Sequence, residues 1–207
     1  MTDDDEKVSF GLPVQDRKAL RKDPDFQAEI RQAKKDAEVE DIEAFLASYP
    51  RATDQDLEID EIAESPDAIC LRDDGSQIGL EITSVRRSPD QAFWESTLDH
   101  KDEMDLQEAA DEIWRLVEQK ARLRPNFSTP STILVLAICE ADFRAVVNYI
   151  SEVPIKDWAA AGFEEIWLAD FKGIREGAHR EVRLFGLFPE KYRKVIGRSD
   201  YDQKPYG

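Results

Sequence analysis

The sequence predicts an α/β fold, a central mixed β-sheet with helices on both faces. Three observations lead there. From Pro24 the composition turns helical, and Val39, Ile42, Phe45, Leu46 and Tyr49 fall on one apolar stripe. Two strand-like runs flank an Asp/Gly cluster at Asp73-Asp74-Gly75-Ser76, the pattern of an antiparallel hairpin. Finally, Ile133 to Cys139 is a continuous apolar run of strand length, as expected for a strand covered on both sides. Helices alternating with such strands specify layers of helix on sheet.

The elements follow in order. Residues 1–23 read as an acidic, mobile N-terminal segment, and residues 24–207 as one domain, since no linker-like stretch divides them. The first helix is expected to stop at Pro50. Leu57, Ile59 and Ile62 suggest a short strand leading into the hairpin of residues 65–84. Residues 86–104 lack periodicity and read as a loop or short helices beside the hairpin. Leu106 to Arg124 returns to helical spacing, with Leu106, Ala109, Ala110, Ile113 and Val117 on one face. After the Ile133 strand come a helix from Asp142 to Ile150 and strands at Glu165 to Ala169 and Val182 to Phe188.

Composition narrows the function classes. The chain has 207 residues, 28 basic and 45 acidic, for a net charge of −17. Such a field repels a phosphate backbone at long range, so nucleic-acid contact requires local basic surfaces. Three clusters offer one: Arg86 and Arg87; Lys120, Arg122 and Arg124; and Lys191, Arg193, Lys194 and Arg198. For any one of them a solvated charged face is the preferred reading. The acidic total suits a basic protein partner instead. No apolar run is long enough to span a bilayer, and the acidic start is unlike a signal peptide, so no membrane association and a cytoplasmic location are expected. Cys70 and Cys139 fall in apolar runs and read as reduced core residues. His100 and His179 lack spaced metal partners, and Trp94, Trp114, Trp158 and Trp167 read as packing groups.

The chemistry concentrates on Asp67 and Glu81. Side chains alternate along a strand, so Gly79, Glu81 and Thr83 share one face while Ile78, Leu80 and Ile82 take the other. Acids are depleted within strands, yet Glu81 interrupts an apolar run. Across the hairpin Asp67 reaches the same end of the sheet. Two carboxylates with room for water suit Mg²⁺ or Mn²⁺, the cations of phosphodiester cleavage. The bland reading makes Asp67 a turn residue and Glu81 an edge charge.

Pro66-Asp67 on one strand and Glu81-Ile82-Thr83 on the next resemble the signature of the PD-(D/E)xK nucleases, with Thr83 where that superfamily usually carries Lys. The resemblance implies a restriction-endonuclease-like αβββαβ core, here from about Glu29 to Cys139 with C-terminal additions, and metal-dependent hydrolysis of DNA or RNA. It implies that Asp67, Glu81 and the carbonyl of Ile82 hold Mg²⁺ or Mn²⁺. Thr83 hydrogen-bonds but cannot serve as a base near neutral pH. Related families place the lysine on the following helix, where Lys120 lies in line with Ile113 and Val117. A lysine there either snorkels to solvent or meets an anion. Members also carry a metal-ligating or water-positioning Glu in the first helix. Glu38, on the face of Ile42, Phe45 and Tyr49, fits that role, with Glu43 as the competing choice. The alternative to a nuclease is a nuclease-like acidic module that has lost catalysis and binds a protein.

Overall fold

The computed structural model describes residues 24–87, 104–152, 157–172 and 182–196. The chain divides into two compact units, Met1–Glu38 and Val39–Gly207. Helix α1 (Pro24–Thr53) runs through the division, while the described strands and remaining helices all belong to the second unit. In the first unit the described residues are helical, and an exposed Gln32 donates to Asp36 one turn on at 2.8 Å. The acidic segment 1–23, most of the 86–104 stretch, Trp94, His100, His179 and Arg198 lie outside the described residues.

Pro50 does not end α1, contrary to the expectation from sequence. The helix continues to Thr53, with the Asp54 amide donating to the Pro50 carbonyl at 2.8 Å. A proline removes one donor and crowds the carbonyl one turn back, and the helix runs only three residues past it. The stop comes at Asp54, whose φ of 58° is left-handed.

Strands β1 (Leu57–Ile62), β2 (Ala68–Arg72) and β3 (Gln77–Val85) form an antiparallel meander. The β2–β3 turn closes with Gly75 at φ 78°, and the Ser76 amide donates to Asp74 Oδ1 at 2.9 Å. Helix α2 (Leu106–Leu123) then crosses over to β4 (Thr132–Ile138), which lies parallel to β3. It starts at a capping box in which Asp105 accepts from the Glu108 amide at 2.8 Å. Helix α3 (Phe143–Glu152) returns the chain to β5 (Glu165–Asp170), parallel to β4. Parallel neighbours require such crossovers. Antiparallel strands β6 (Arg183–Phe188) and β7 (Val195–Ile196) complete a seven-stranded mixed sheet whose spatial order is the sequence order.

The sheet buries both faces. Ile42, Phe45 and Tyr49 of α1 pack on Ile78, Leu80, Val135 and Trp167. Ile113 and Val117 of α2, with Val146 and Ile150 of α3, cover Leu134, Leu136, Ile166 and Leu168. Cys70 is buried among the first set, and burial pushes its thiol up to about 11. Trp114 and Trp158 stack at 3.8 Å between centroids, and Trp167 is fully buried, so all three described tryptophans pack. No helix among the described residues is long and apolar enough to cross a membrane.

Candidate functional site

Glu81 sits mid-strand in β3, between β2 and β4, and is 4% exposed. It is therefore not an edge charge. The alternation holds: Ile78 and Leu80 belong to the α1-side core, with Ile82 packed against it. Glu81 pairs in register with Leu134, which faces α2, and Thr83 with Leu136. A carboxylate on this face must find compensation from α2 or from what binds there.

Lys120 supplies it. Its Nζ pairs with Glu81 Oε1 across 39 residues of sequence, and its side chain is 21% exposed. The lysine on the apolar stripe of α2 has thus met an anion. Only half of the carboxylate is satisfied, because Glu81 Oε2 is buried with no hydrogen-bond partner among the described residues. A buried acceptor left open in this way is costly unless a donor or cation completes it.

The dipeptide before β2 explains how Asp67 joins them. Ala68–Leu80 is the last ladder pair of β2 and β3, and just before it the Pro66 ring lies against Gly79 on the face of β3. Past the end of that ladder the Ile82 amide donates to Asp67 Oδ2 at 2.7 Å. N–H and C=O of one strand residue face the same edge, so the Ile82 carbonyl points to the Asp67 side, beyond the last ladder pair.

Gly79 permits this arrangement. A Cβ there would lie 2.6 Å from Pro66 Cγ and 2.4 Å from Thr129 Oγ1. The Pro66 ring and the segment leading into β4 therefore rest against bare β3 backbone, and the Gly79 amide donates to the Ser131 carbonyl at 2.9 Å. The hydroxyls of Thr129 and Thr132 are buried without hydrogen-bond partners among the described residues.

The structure thus brings together Asp67, Glu81, the Ile82 backbone and Lys120, with half-buried Thr83 two residues further on the Glu81 face. Glu38 is exposed and belongs to the first unit; Glu43, in the second, is exposed on α1. Among the described residues no three His, Cys, Asp or Glu side chains assemble into a metal-holding group. The donor set for a metal is two carboxylates and a backbone carbonyl. That set fits Mg²⁺, which keeps most of its waters and takes one or two carboxylates, and the open Glu81 Oε2 fits the same use.

A second polar centre was not anticipated from sequence. Glu165 is 5% exposed at the start of β5; it accepts from Tyr49 Oη at 2.9 Å and from Trp167 Nε1 at 2.7 Å. Burial raises the pKa of Glu165 and, with the carboxylate beside it, that of Tyr49. It borders a cleft of about 370 Å³ shared with Arg72, Asp73, Asp74, Glu164, Lys191 and Tyr192. The signal was an acid opening an apolar strand, the pattern that singled out Glu81.

The predicted basic clusters are divided between engaged and exposed members: Arg86, Arg122, Lys191 and Lys194 are exposed. Arg87 contacts Glu108 at 3.5 Å and is mostly buried, Arg122 pairs with Glu118 at 3.7 Å, and Arg124 donates to the Gly162 carbonyl. No protein-family model matches the chain, and neither does any curated protein or solved structure.

Proposed function

We propose that the chain is a metal-dependent phosphodiesterase acting on nucleic acid, with Asp67, Glu81 and the Ile82 carbonyl as the holders of Mg²⁺ or Mn²⁺. The observation that carries the reading is the Lys120–Glu81 pair beside Asp67. A buried carboxylate, a second carboxylate beside it and an ammonium from the next helix are the groups this hydrolysis needs, whereas a core built for stability alone needs none of them. The order helix, three strands, helix, strand from α1 to β4 supports the same reading through the PD-(D/E)xK resemblance.

A bound Mg²⁺ supplies polarisation of the scissile phosphate and acidification of a water. The chain's own groups do the rest. Asp67 is held by the Ile82 amide, so its remaining oxygen is oriented before any cation arrives. Lys120 carries the positive charge that the usual motif lysine would, and donates to a phosphate oxygen or to the attacking water. Thr83 adds a hydroxyl donor without changing the charge. The experiment is cleavage of single- and double-stranded DNA and RNA with Mg²⁺ or Mn²⁺. Wild-type protein cleaves at least one of them, and Glu81→Ala removes that activity with the circular dichroism unchanged. Full activity in Glu81→Ala refutes the site.

One observation favours a second reading, an acidic module without catalysis. Arg87, Lys120 and Arg124 of two of the predicted clusters are engaged by Glu108, Glu81 and the Gly162 carbonyl, while edge strand β1 exposes Glu58, Asp60 and Glu61 around Ile59 and Ile62. That surface suits a basic protein segment. Metal affinity separates the two readings, since a lapsed site has no need of Mn²⁺.

A further inference from the structure

We propose that Lys120 is a resident counter-ion exchanged for the metal: a divalent cation binds in competition with Lys120 for Glu81, and its arrival releases the ammonium toward the substrate phosphate. This rests on the reading of Asp67 and Glu81 as metal holders and adds an order of events, metal before anionic substrate.

The argument starts from what each partner can do. Glu81 is nearly inaccessible on a central strand, and its short stem cannot carry the carboxylate out to bulk water. Lys120 is partly exposed in the last turn of α2, on a four-carbon stem that can carry its head to water. The pair can therefore open only by movement of Lys120. Its ammonium occupies Oε1 alone, and Oε2 is left buried and open. Asp67 stands beside the pair, held by the Ile82 amide, and Glu81 Oε2 is the open acceptor that a divalent cation would take. Once that cation shares Glu81, the ammonium beside it meets like charge in a partly desolvated place, and repulsion there is screened far less than in water.

Release has a consequence for substrate. An ammonium engaged by Glu81 is a poor phosphate ligand, because its charge is already compensated. In the metal-free protein the site thus presents carboxylates to an approaching phosphodiester and repels it. After exchange it presents a dication and a free ammonium. Lys120 in this way couples metal loading to substrate binding, which matters in a chain of net charge −17, where non-productive contact with nucleic acid is otherwise governed by repulsion alone.

The test uses the full chain and Mn²⁺ alone. Calorimetric titration compares wild type, Lys120→Gln and Glu81→Gln; glutamine keeps a donor for Glu81 while removing the charge. Lys120→Gln is expected to bind Mn²⁺ about tenfold more tightly than wild type, the scale set by one removed like charge, and Glu81→Gln to lose the binding. Residue-resolved acetylation of wild-type lysines, with and without Mn²⁺, gives a second readout that does not depend on a variant folding. Acetylation of Lys120 should rise severalfold with Mn²⁺ while other lysines hold steady. Mn²⁺ binding that depends on Glu81 but is no tighter in Lys120→Gln, or that leaves Lys120 reactivity unchanged, overturns the exchange and leaves the metal reading standing. No Mn²⁺ binding by wild type or Lys120→Gln removes the metal reading and the exchange with it.

Discussion

Replacing Lys120 and Glu81 singly and together separates what the pair contributes to stability from what it is there to do. Lys120→Met leaves the Glu81 carboxylate, 4% exposed, with its counter-ion gone. Breaking a fully buried pair this way costs about 3–5 kcal/mol. The lysine is 21% exposed, so solvent already screens part of the attraction, and about 2 kcal/mol is the better expectation. For a domain of this size that lowers Tm by about 4–8 °C. Glu81→Gln should cost less, under about 1 kcal/mol, because the orphaned ammonium can reach water whereas an orphaned Glu81 cannot. The double variant Glu81→Leu/Lys120→Met should return to within about 1 kcal/mol of wild type, since an apolar pair of similar volume suits the α2 face of the sheet. Urea unfolding followed by circular dichroism, with unchanged m-values, measures all three. Equal costs for the two single replacements would show that Lys120 is as trapped as Glu81. A Lys120→Met variant within about 0.5 kcal/mol of wild type would refute the reasoning that the pair is electrostatically coupled.

Two further outcomes follow from the geometry. Gly79→Ala places a methyl 2.4 Å from Thr129 Oγ1 and 2.6 Å from Pro66 Cγ; it should destabilise by about 1–3 kcal/mol and weaken Mn²⁺ binding by displacing Asp67. Gly75→Ala, strained by its φ of 78° but meeting open space, should leave Mn²⁺ binding unchanged, and calorimetric titration of both compares them. Burial raises the pKa of Glu165 above its ordinary 4.5, so the folded protein holds that proton more tightly than the unfolded chain does. Its contribution to stability is full below the ordinary value and is lost as pH rises through the raised one. Glu165→Gln should flatten that decline, measured by urea unfolding across the same pH range.

The strands and helices were legible because burial imposes period. Ile133 to Cys139 has no polar interruption, and the structure covers β4 on both faces. The alternation of Ile78, Leu80 and Ile82 against Gly79, Glu81 and Thr83 survived intact for the same reason. Pro50 misled because a proline removes its own donor but keeps its carbonyl, which accepts from the Asp54 amide and closes one more turn. At the site, Asp67, Glu81 and Lys120 were each visible as a violation of pattern: an acid after a proline, an acid in a strand, a lysine on an apolar stripe. Their convergence was less visible, since it depends on the crossover that lays α2 over β3. The Glu165 centre was missed because its partners come from α1 and β5, more than a hundred residues apart, and no local pattern joins Tyr49 to Glu165. Within the basic clusters Arg86, Arg122, Lys191 and Lys194 are exposed, as a solvated face requires, but nothing in the sequence assigns Arg87 to Glu108 or Arg124 to a carbonyl.

The residue that departs most from the nuclease signature, Thr83, is consistent with Lys120 on electrostatic grounds. Position 83 lies on the same face of β3 as Glu81, two residues along, and faces α2. With Lys120 already at Glu81 Oε1, a lysine at 83 would bring a second ammonium to the same carboxylate, in a place where like charges are poorly screened. One cation is needed and two conflict, so the lysine can come from the strand or from the helix but not from both. That argument makes a swap informative. Thr83→Lys alone should weaken Mn²⁺ binding by adding charge, and Lys120→Ala alone should abolish cleavage. Thr83→Lys/Lys120→Ala should recover Mn²⁺ affinity to near the wild-type value and restore part of the activity, because the relocated ammonium remains on the face of Glu81. Recovery of metal affinity without any activity would mean that the direction from which the ammonium approaches the phosphate matters as well as its charge. Failure to recover either would show that the α2 end is required for something other than its charge, and the equivalence of the two positions would fall.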